Sequence, residues 1–394
     1  MDKPHVADGP PARRLSWHDP VVRAILYQIL VVGLVGMGIG YLVSNTLNNL
    51  EARNISTGFD FLGLEAGFAI GETLIDYSAS DTYGRAIVAG LINTVYVSVI
   101  GIIAATVLGT IIGVARLSTN WLIGRVAGAY IEVIRNIPLL LQLFLWYALI
   151  TENAPRPRDA LNPLPGVFIS NRGLRVPAFL GDTLDWVIAA LALAIAGTLI
   201  IANWAHKRQI RTGRQFPVLR AGVLLLVALP GIALYLTDAT FVLDMPELKG
   251  FSYRGGKSLS PEFAALSLGL IIYTSAFIAE VVRSGIQSVG QGQWEAANAI
   301  GLPQRRALRL VILPQALRVI IPPLTSQFLN LTKNSSLAVA IGYPDIVAVI
   351  NTTLNQTGQA IEGILIVMAA YLSVSLSISL FMNWYNRRIA LVER

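Results

Sequence analysis

Eight long apolar stretches, almost free of charge, dominate this chain: residues 24–43, 86–115, 136–151, 186–205, 221–237, 263–279, 310–332 and 363–386. About 20 apolar residues of helix cross a hydrocarbon layer ~30 Å thick, and inside such a layer only a helix or a closed barrel satisfies every backbone N–H and C=O. The sequence therefore predicts an all-α polytopic membrane protein with about eight transmembrane helices. Composition agrees, since 13% of residues are charged and 54% hydrophobic, against about 25% charged in ordinary soluble domains. A soluble globular enzyme is excluded. The absence of Cys rules out disulfides and thiolate metal sites, and three scattered histidines (His5, His18, His206) make no metal cluster.

The third stretch is read as beginning near Gly124, which carries Glu132 and Arg135 into its end. The first is too long for a secretory signal and lacks a small-residue cleavage pattern, so it is expected to remain as a span. Lys and Arg set the orientation. With the N-terminus inside, the internal segments sum to a net charge of +12 and the external ones to −6, which predicts both termini in the cytoplasm. The run from His206 to Arg211 and the ending Asn386-Arg387-Arg388 are its clearest markers. These basic clusters are read as fixing topology in the lipid bilayer, with no nucleic-acid partner implied. Loops 44–85 and 151–185 are long enough for short surface helices, for example around Gly71 to Ser78.

Between the sixth and seventh spans lies Gln291-Gly292-Gln293-Trp294-Glu295-Ala296-Ala297-Asn298-Ala299-Ile300-Gly301-Leu302-Pro303. Glu295 in the first turn, three alanines, and Gly301 followed by Pro303 predict a short helix with a defined stop. A helix of two turns is not stable alone in water. Small side chains at Ala296 and Ala297 keep its surface thin enough to enter a groove on another protein, so it calls for a partner.

Glu-Ala-Ala, three residues, Gly, nine residues and Val-x-Leu-Pro, from Glu295 to Pro314, resembles the coupling-loop signature of ABC-importer permeases. The one departure is Val311 in place of isoleucine. The segments Glu280–Gln287, Arg135–Gln142 and Lys333–Leu337 resemble the polar amino-acid subfamily. This resemblance implies a five-helix core at 86–115, 124–151, 263–283, 307–332 and 363–386. Around it the chain is expected to divide into a cytoplasmic segment (1–23), an extra helix (24–43), a periplasmic loop (44–85), a first core part (86–151), an insertion with two spans (152–260) and a second core part (261–394) holding the coupling loop 291–314. The extra span and the insertion are similar to the permeases of general L-amino acid systems. The resemblance further implies a homologous second permease, an ABC ATPase dimer, a periplasmic amino-acid-binding protein and a bacterial inner-membrane location.

No phosphate-binding loop is present to supply energy. Gly255-Gly256-Lys257-Ser258 is a decoy, because Phe251 occupies the position that needs the first glycine and no strand-to-helix context follows. The chain is expected to hold no cofactor, Mg-ATP belonging to the partner ATPase. The residues expected to shape the contact with that ATPase are Glu295, Ala296, Ala297 and Gly301, with Leu313 and Pro314 fixing the return into the membrane.

For a zwitterionic substrate the path should carry polar groups at helical spacing. In the seventh span Gln327, Asn330 and Asn334 share one face, with Ser326 and Lys333 beside it and Pro322-Pro323 expected to break the helix below. Interhelical hydrogen bonding is the equally weighted alternative for these amides. Gln142, after Pro138, is a further candidate. Two pairs three residues apart, Glu280 with Arg283 and Glu132 with Arg135, are expected to form ion pairs that anchor span ends. An ion-coupled secondary carrier is the rival function, but it needs titratable groups deep in the bilayer, and those are not evident.

Overall fold

A computed structural model describes residues 20–52, 57–179, 183–213, 215–236 and 243–389; most of the segment assigned to the cytoplasm before the first span, and residues 390–394, lie outside them. The chain opens with α1 (Pro20–Ala52), whose side chains are exposed along nearly its whole length. After a 3-10 turn at Asp60–Gly63 come α2 (Tyr83–Arg116), α3 (Trp121–Asn136) and α4 (Leu139–Ala148). Next are strands β1 (Leu161–Leu164), β2 (Val167–Ser170), β3 (Gly173–Val176) and β4 (Ala178–Phe179), then α5 (Thr183–Thr212) and α6 (Val218–Leu236). Four more strands follow, β5 (Leu243–Asp244), β6 (Glu247–Lys249), β7 (Ser252–Arg254) and β8 (Lys257–Leu259). The remainder is helical: α7 (Pro261–Gln287), α8 (Gln291–Ala299), α9 (Gln304–Ala307), α10 (Leu313–Asn334), α11 (Ile346–Thr357) and α12 (Ala360–Ile389).

Among the described residues, seven helices are long and apolar enough to cross a membrane, or eight if the bent pair α3 and α4 counts as one span. That pair corrects an expectation. Instead of one kinked span, the chain turns through 102° at Ile137-Pro138. Pro138 lacks a backbone donor and forces its predecessor out of helical geometry, and the side chain of Gln142 secures the break.

At the centre α7 packs along α2, α3, α4 and α10. Its closest approach to α2 runs over two buried glycines four apart on α2, Gly109 and Gly113, where a Cβ would strike the α7 backbone. In lipid, where apolar burial drives association weakly, such rows let backbones close to van der Waals contact. The α5–α6 pair packs on itself instead.

Two loop expectations need correction. Residues 71–78 hold no helix; that segment lies against the start of α2, where Asn93 Nδ2 donates to the Glu72 carbonyl at 2.8 Å. The insertion is also not merely loop and helix. It builds a small antiparallel sheet in the order β1-β2-β3-β8, with two further strand pairs, β4 with β5 and β6 with β7. This lobe leads straight into α7, so it sits at the opposite end of that helix from α8.

Asp345 caps α11, accepting from Ala348 N at 2.9 Å, and is fully buried. Burial, only partly offset by backbone donors, pushes its carboxyl up to about 7 from 3.8. The folded chain thus keeps a proton there that the unfolded chain has released, so the stability this group contributes is lost as pH climbs from about 4 through about 7. Asp345→Asn keeps an N-cap without the titration. Its thermal midpoint in detergent should fall less than that of the parent between about pH 5 and about pH 8; an identical pH slope would exclude Asp345 as the source.

Candidate functional site

The segment after α7 forms the short helix that the sequence predicts. Gly301 adopts φ +74° just past its end, Gly301 N donates to Asn298 O at 2.9 Å and Leu302 N to Ala297 O at 3.1 Å. This pair of bonds is the Schellman arrangement, which needs a left-handed residue where glycine is strain-free.

One side of α8 is anchored. Ala297 is buried, Trp294 packs on the main core and Gln315 Nε2 donates to Gln293 Oε1 at 3.0 Å. The other side is bare: Glu295 and Ala296 are exposed, and Ile300 at the tip is 74% exposed. The two alanines thus divide their work, Ala297 letting α8 sit close to its own chain while Ala296 faces outward. Beside α8, a cleft of about 890 Å³ lies between it and residues 117–123, so the helix is buttressed from one side only.

The chain returns through α9 and a π-helical turn, Leu308–Ile312, before α10 begins at Leu313. A proline ring clashes with the carbonyl four residues earlier in a regular helix. The wider π turn ends just before Pro314, where it relieves that clash. Leu313 is half-exposed and Pro314 partly buried.

Along α10 the polar row keeps its helical spacing, and Pro322-Pro323 does not break the helix, contrary to expectation. Ser326, Asn330 and Lys333 are exposed while Gln327 and Asn334 are partly buried. Within the described residues the side chains of Gln327, Asn330 and Asn334 carry no hydrogen bond, so they do not bind this chain's helices to one another. Gln142 is used differently. Buried in the α3–α4 bend, its Nε2 donates to Ile134 O and Ile137 O, both at 3.0 Å, which are carbonyls freed by the break. That geometry makes it a splint for the bend.

Of the two expected ion pairs, one forms. Arg283 Nε donates to Glu280 Oε2 at 2.9 Å, and Arg283 also reaches Gln287. Arg135 instead lies 5.0 Å over the Phe277 ring, leaving Glu132 without it. Sequence reasoning missed Ile300 and the Gln293–Gln315 bond; an apolar residue next to the terminating glycine was the available signal for the first.

The family described as binding-protein-dependent transport system inner membrane component matches residues 218–391, which include α8 and α10. YhdX of Escherichia coli is 52% identical over 383 residues, covering 96% of this chain and 97% of its own. The general L-amino acid transport system permease protein AapQ of Rhizobium johnstonii is 47% identical over 97% of this chain and 96% of its own. The glutamate/glutamine/aspartate/asparagine transport system permease protein BztB of Rhodobacter capsulatus is 43% identical over 99% and 100%. A bundle of long apolar helices with a short helix protruding at one end is the architecture of a multi-pass membrane protein. The chain belongs to the inner-membrane permease family of binding-protein-dependent ABC transporters. That membership sets the ion-coupled carrier aside.

Proposed function

We propose that this chain is the permease subunit of an amino-acid ABC importer, carrying polar L-amino acids across the bacterial inner membrane. Its relatives transport amino acids by name. The observation that carries the mechanism is α8, a two-turn helix fixed on one side by Trp294, Ala297 and Gln293 and bare on the other at Glu295, Ala296 and Ile300. An exposed apolar tip on a buttressed helix suits insertion into a groove of a separate ATPase, which binds Mg-ATP. In this reading Gly301 shapes the tip, and Leu313 and Pro314 tie it to α10, so movement of the ATPase reaches the membrane core as a push on one rigid corner. Both termini, α8 and the basic ends of α5 and α12 lie in the cytoplasm; the strand lobe lies outside, where a periplasmic binding protein delivers substrate.

The unpartnered face of α10, from Gln327 and Asn330 to Asn334 with Ser326 and Lys333, fits the wall of the path shared with a homologous second permease. Amides there replace the hydration that a zwitterion loses. Reconstitution tests the whole reading. Proteoliposomes holding the complete complex should take up amino acid when ATP is supplied to the ATPase side and should not do so on an ion gradient alone; gradient-driven uptake without ATP would overturn it. Gln327→Leu combined with Asn330→Leu should reduce uptake severalfold while the ATPase still copurifies. Unchanged rate and substrate range would remove the α10 row from the path.

A further inference from the structure

We infer that the strand lobe of the insertion is the docking surface for the soluble binding protein, and that Arg156, Arg158 and Arg172 are the cations that meet carboxylates on it. This inference rests on the proposed function, since it takes the lobe to face the compartment where that receptor moves.

The three arginines come from two segments that the fold ties together. Asn171 N, in the turn between β2 and β3, donates to Pro155 O at 2.8 Å, which brings the residues around Pro157 beside Arg172. With Phe251 they bound a hollow of about 270 Å³. Arg158 lies 4.4 Å over the Phe251 ring, and Arg172 Nη1 donates to Phe251 O at 3.5 Å. Phe251 itself is 72% exposed.

Among the described residues, no carboxylate forms an ion pair with these arginines. The three ion pairs among the described residues are Arg85–Asp81, Lys249–Glu247 and Arg283–Glu280. Asp244 is spent on Gly256 N at 2.7 Å. Three unpaired guanidinium groups around an exposed aromatic ring stand out against external segments whose net charge is −6. Arginine offers a planar fork that binds carboxylates with two parallel hydrogen bonds, and arginine with aromatic residues is the commonest composition of interface anchors. Charge complementarity therefore selects an acidic protein surface as the occupant.

The lobe is also mechanically continuous with the core. β3 pairs with β8, Leu174 opposite Leu259; Ser260 then caps α7, its Oγ accepting from Phe263 N at 3.0 Å. Glu72 Oε2 accepts from Ser260 N at 3.3 Å, clamping that junction to the segment before α2. A load on the lobe thus enters α7, and only three residues separate the end of α7 from the start of α8.

The test uses the full complex in nanodiscs with its ATPase and binding protein. R156E/R158E/R172E should raise the concentration of binding protein that half-stimulates ATP hydrolysis by at least about tenfold, and added salt should weaken the parent's response far more than the variant's. R156K/R158K/R172K, which keeps charge without the fork, should fall between them, and assembly with the ATPase reports that each variant is folded. Half-stimulation at the parent's concentration in the Glu variant overturns the docking assignment, as does a defect that appears with anionic lipid rather than with binding protein. A parent complex that no binding protein stimulates overturns the proposed function, and this inference with it.

Discussion

Replacing Gly301 by Asp is expected to stop import while the chain stays folded in the membrane. A Cβ built on Gly301 meets nothing within 4 Å, so the substitution displaces no neighbour. What it costs the chain is local: a left-handed conformation for an L-residue, about 1–2 kcal/mol and less for Asp than for most, and a carboxylate at the negative end of α8, about 0.3–1 kcal/mol. Neither sum unfolds a protein of this size. The same carboxylate stands beside Ile300, at the bare tip that enters the ATPase groove in the proposed function, and burying it there unpaired costs several kcal/mol. Uptake should therefore fall by about a hundredfold or more, the factor that ~2.7 kcal/mol produces. Gly301→Asn separates the two causes, because it bears nearly the same shape and tolerance of positive φ without the charge. Asn should retain much of the uptake that Asp loses. Full uptake by the Asp variant would disprove the contact, and equal loss in both variants would move the cause to backbone strain.

How far the sequence carried this reading depends on where its signals come from. The spans were legible because lipid leaves the backbone no partner, so length and hydropathy suffice. The α8 stop was legible because Gly301 and Pro303 act locally. What depends on the third dimension was not. Strands of two to four residues, such as β4 and β8, are too short to display alternation, and β8 finds its partner β3 only after two intervening helices. Gln142 follows Pro138 like any polar residue in a span, and only the 102° turn reveals the carbonyls that it serves. Pro322-Pro323 misled in the other direction, since α10 stays helical through both. For Glu132 and Arg135, correct spacing did not yield a pair because the Phe277 face drew the guanidinium away.

The largest structural effect is expected at the α2–α7 contact, where Gly109→Val should prevent the core from closing. A Cβ at Gly109 would lie 2.7 Å from Ser275 O and 2.7 Å from Ile278 Cβ, and one at Gly113 would lie 2.6 Å from Ala279 O. Two of those three obstacles are backbone carbonyls of α7, which cannot rotate aside as a side-chain tip can. Overpacking an ordinary core costs about 1–3 kcal/mol. Here relief requires α2 and α7 to separate, and α7 also carries the contacts to α3, α4 and α10, so the loss spreads beyond one site. Valine has good membrane solubility, so insertion should survive while folding does not: the chain should reach the membrane in normal amount yet elute from a sizing column in detergent as aggregate. Gly101→Ala provides the contrast. Its Cβ meets only the Leu331 side chain, at 3.2 Å, which can shift, so that variant should remain monodisperse and lose little. If Gly109→Val behaves like Gly101→Ala, α2 and α7 are not in backbone contact at this row, and the force path from the strand lobe through α7 to α8 loses the rigid wall it slides along.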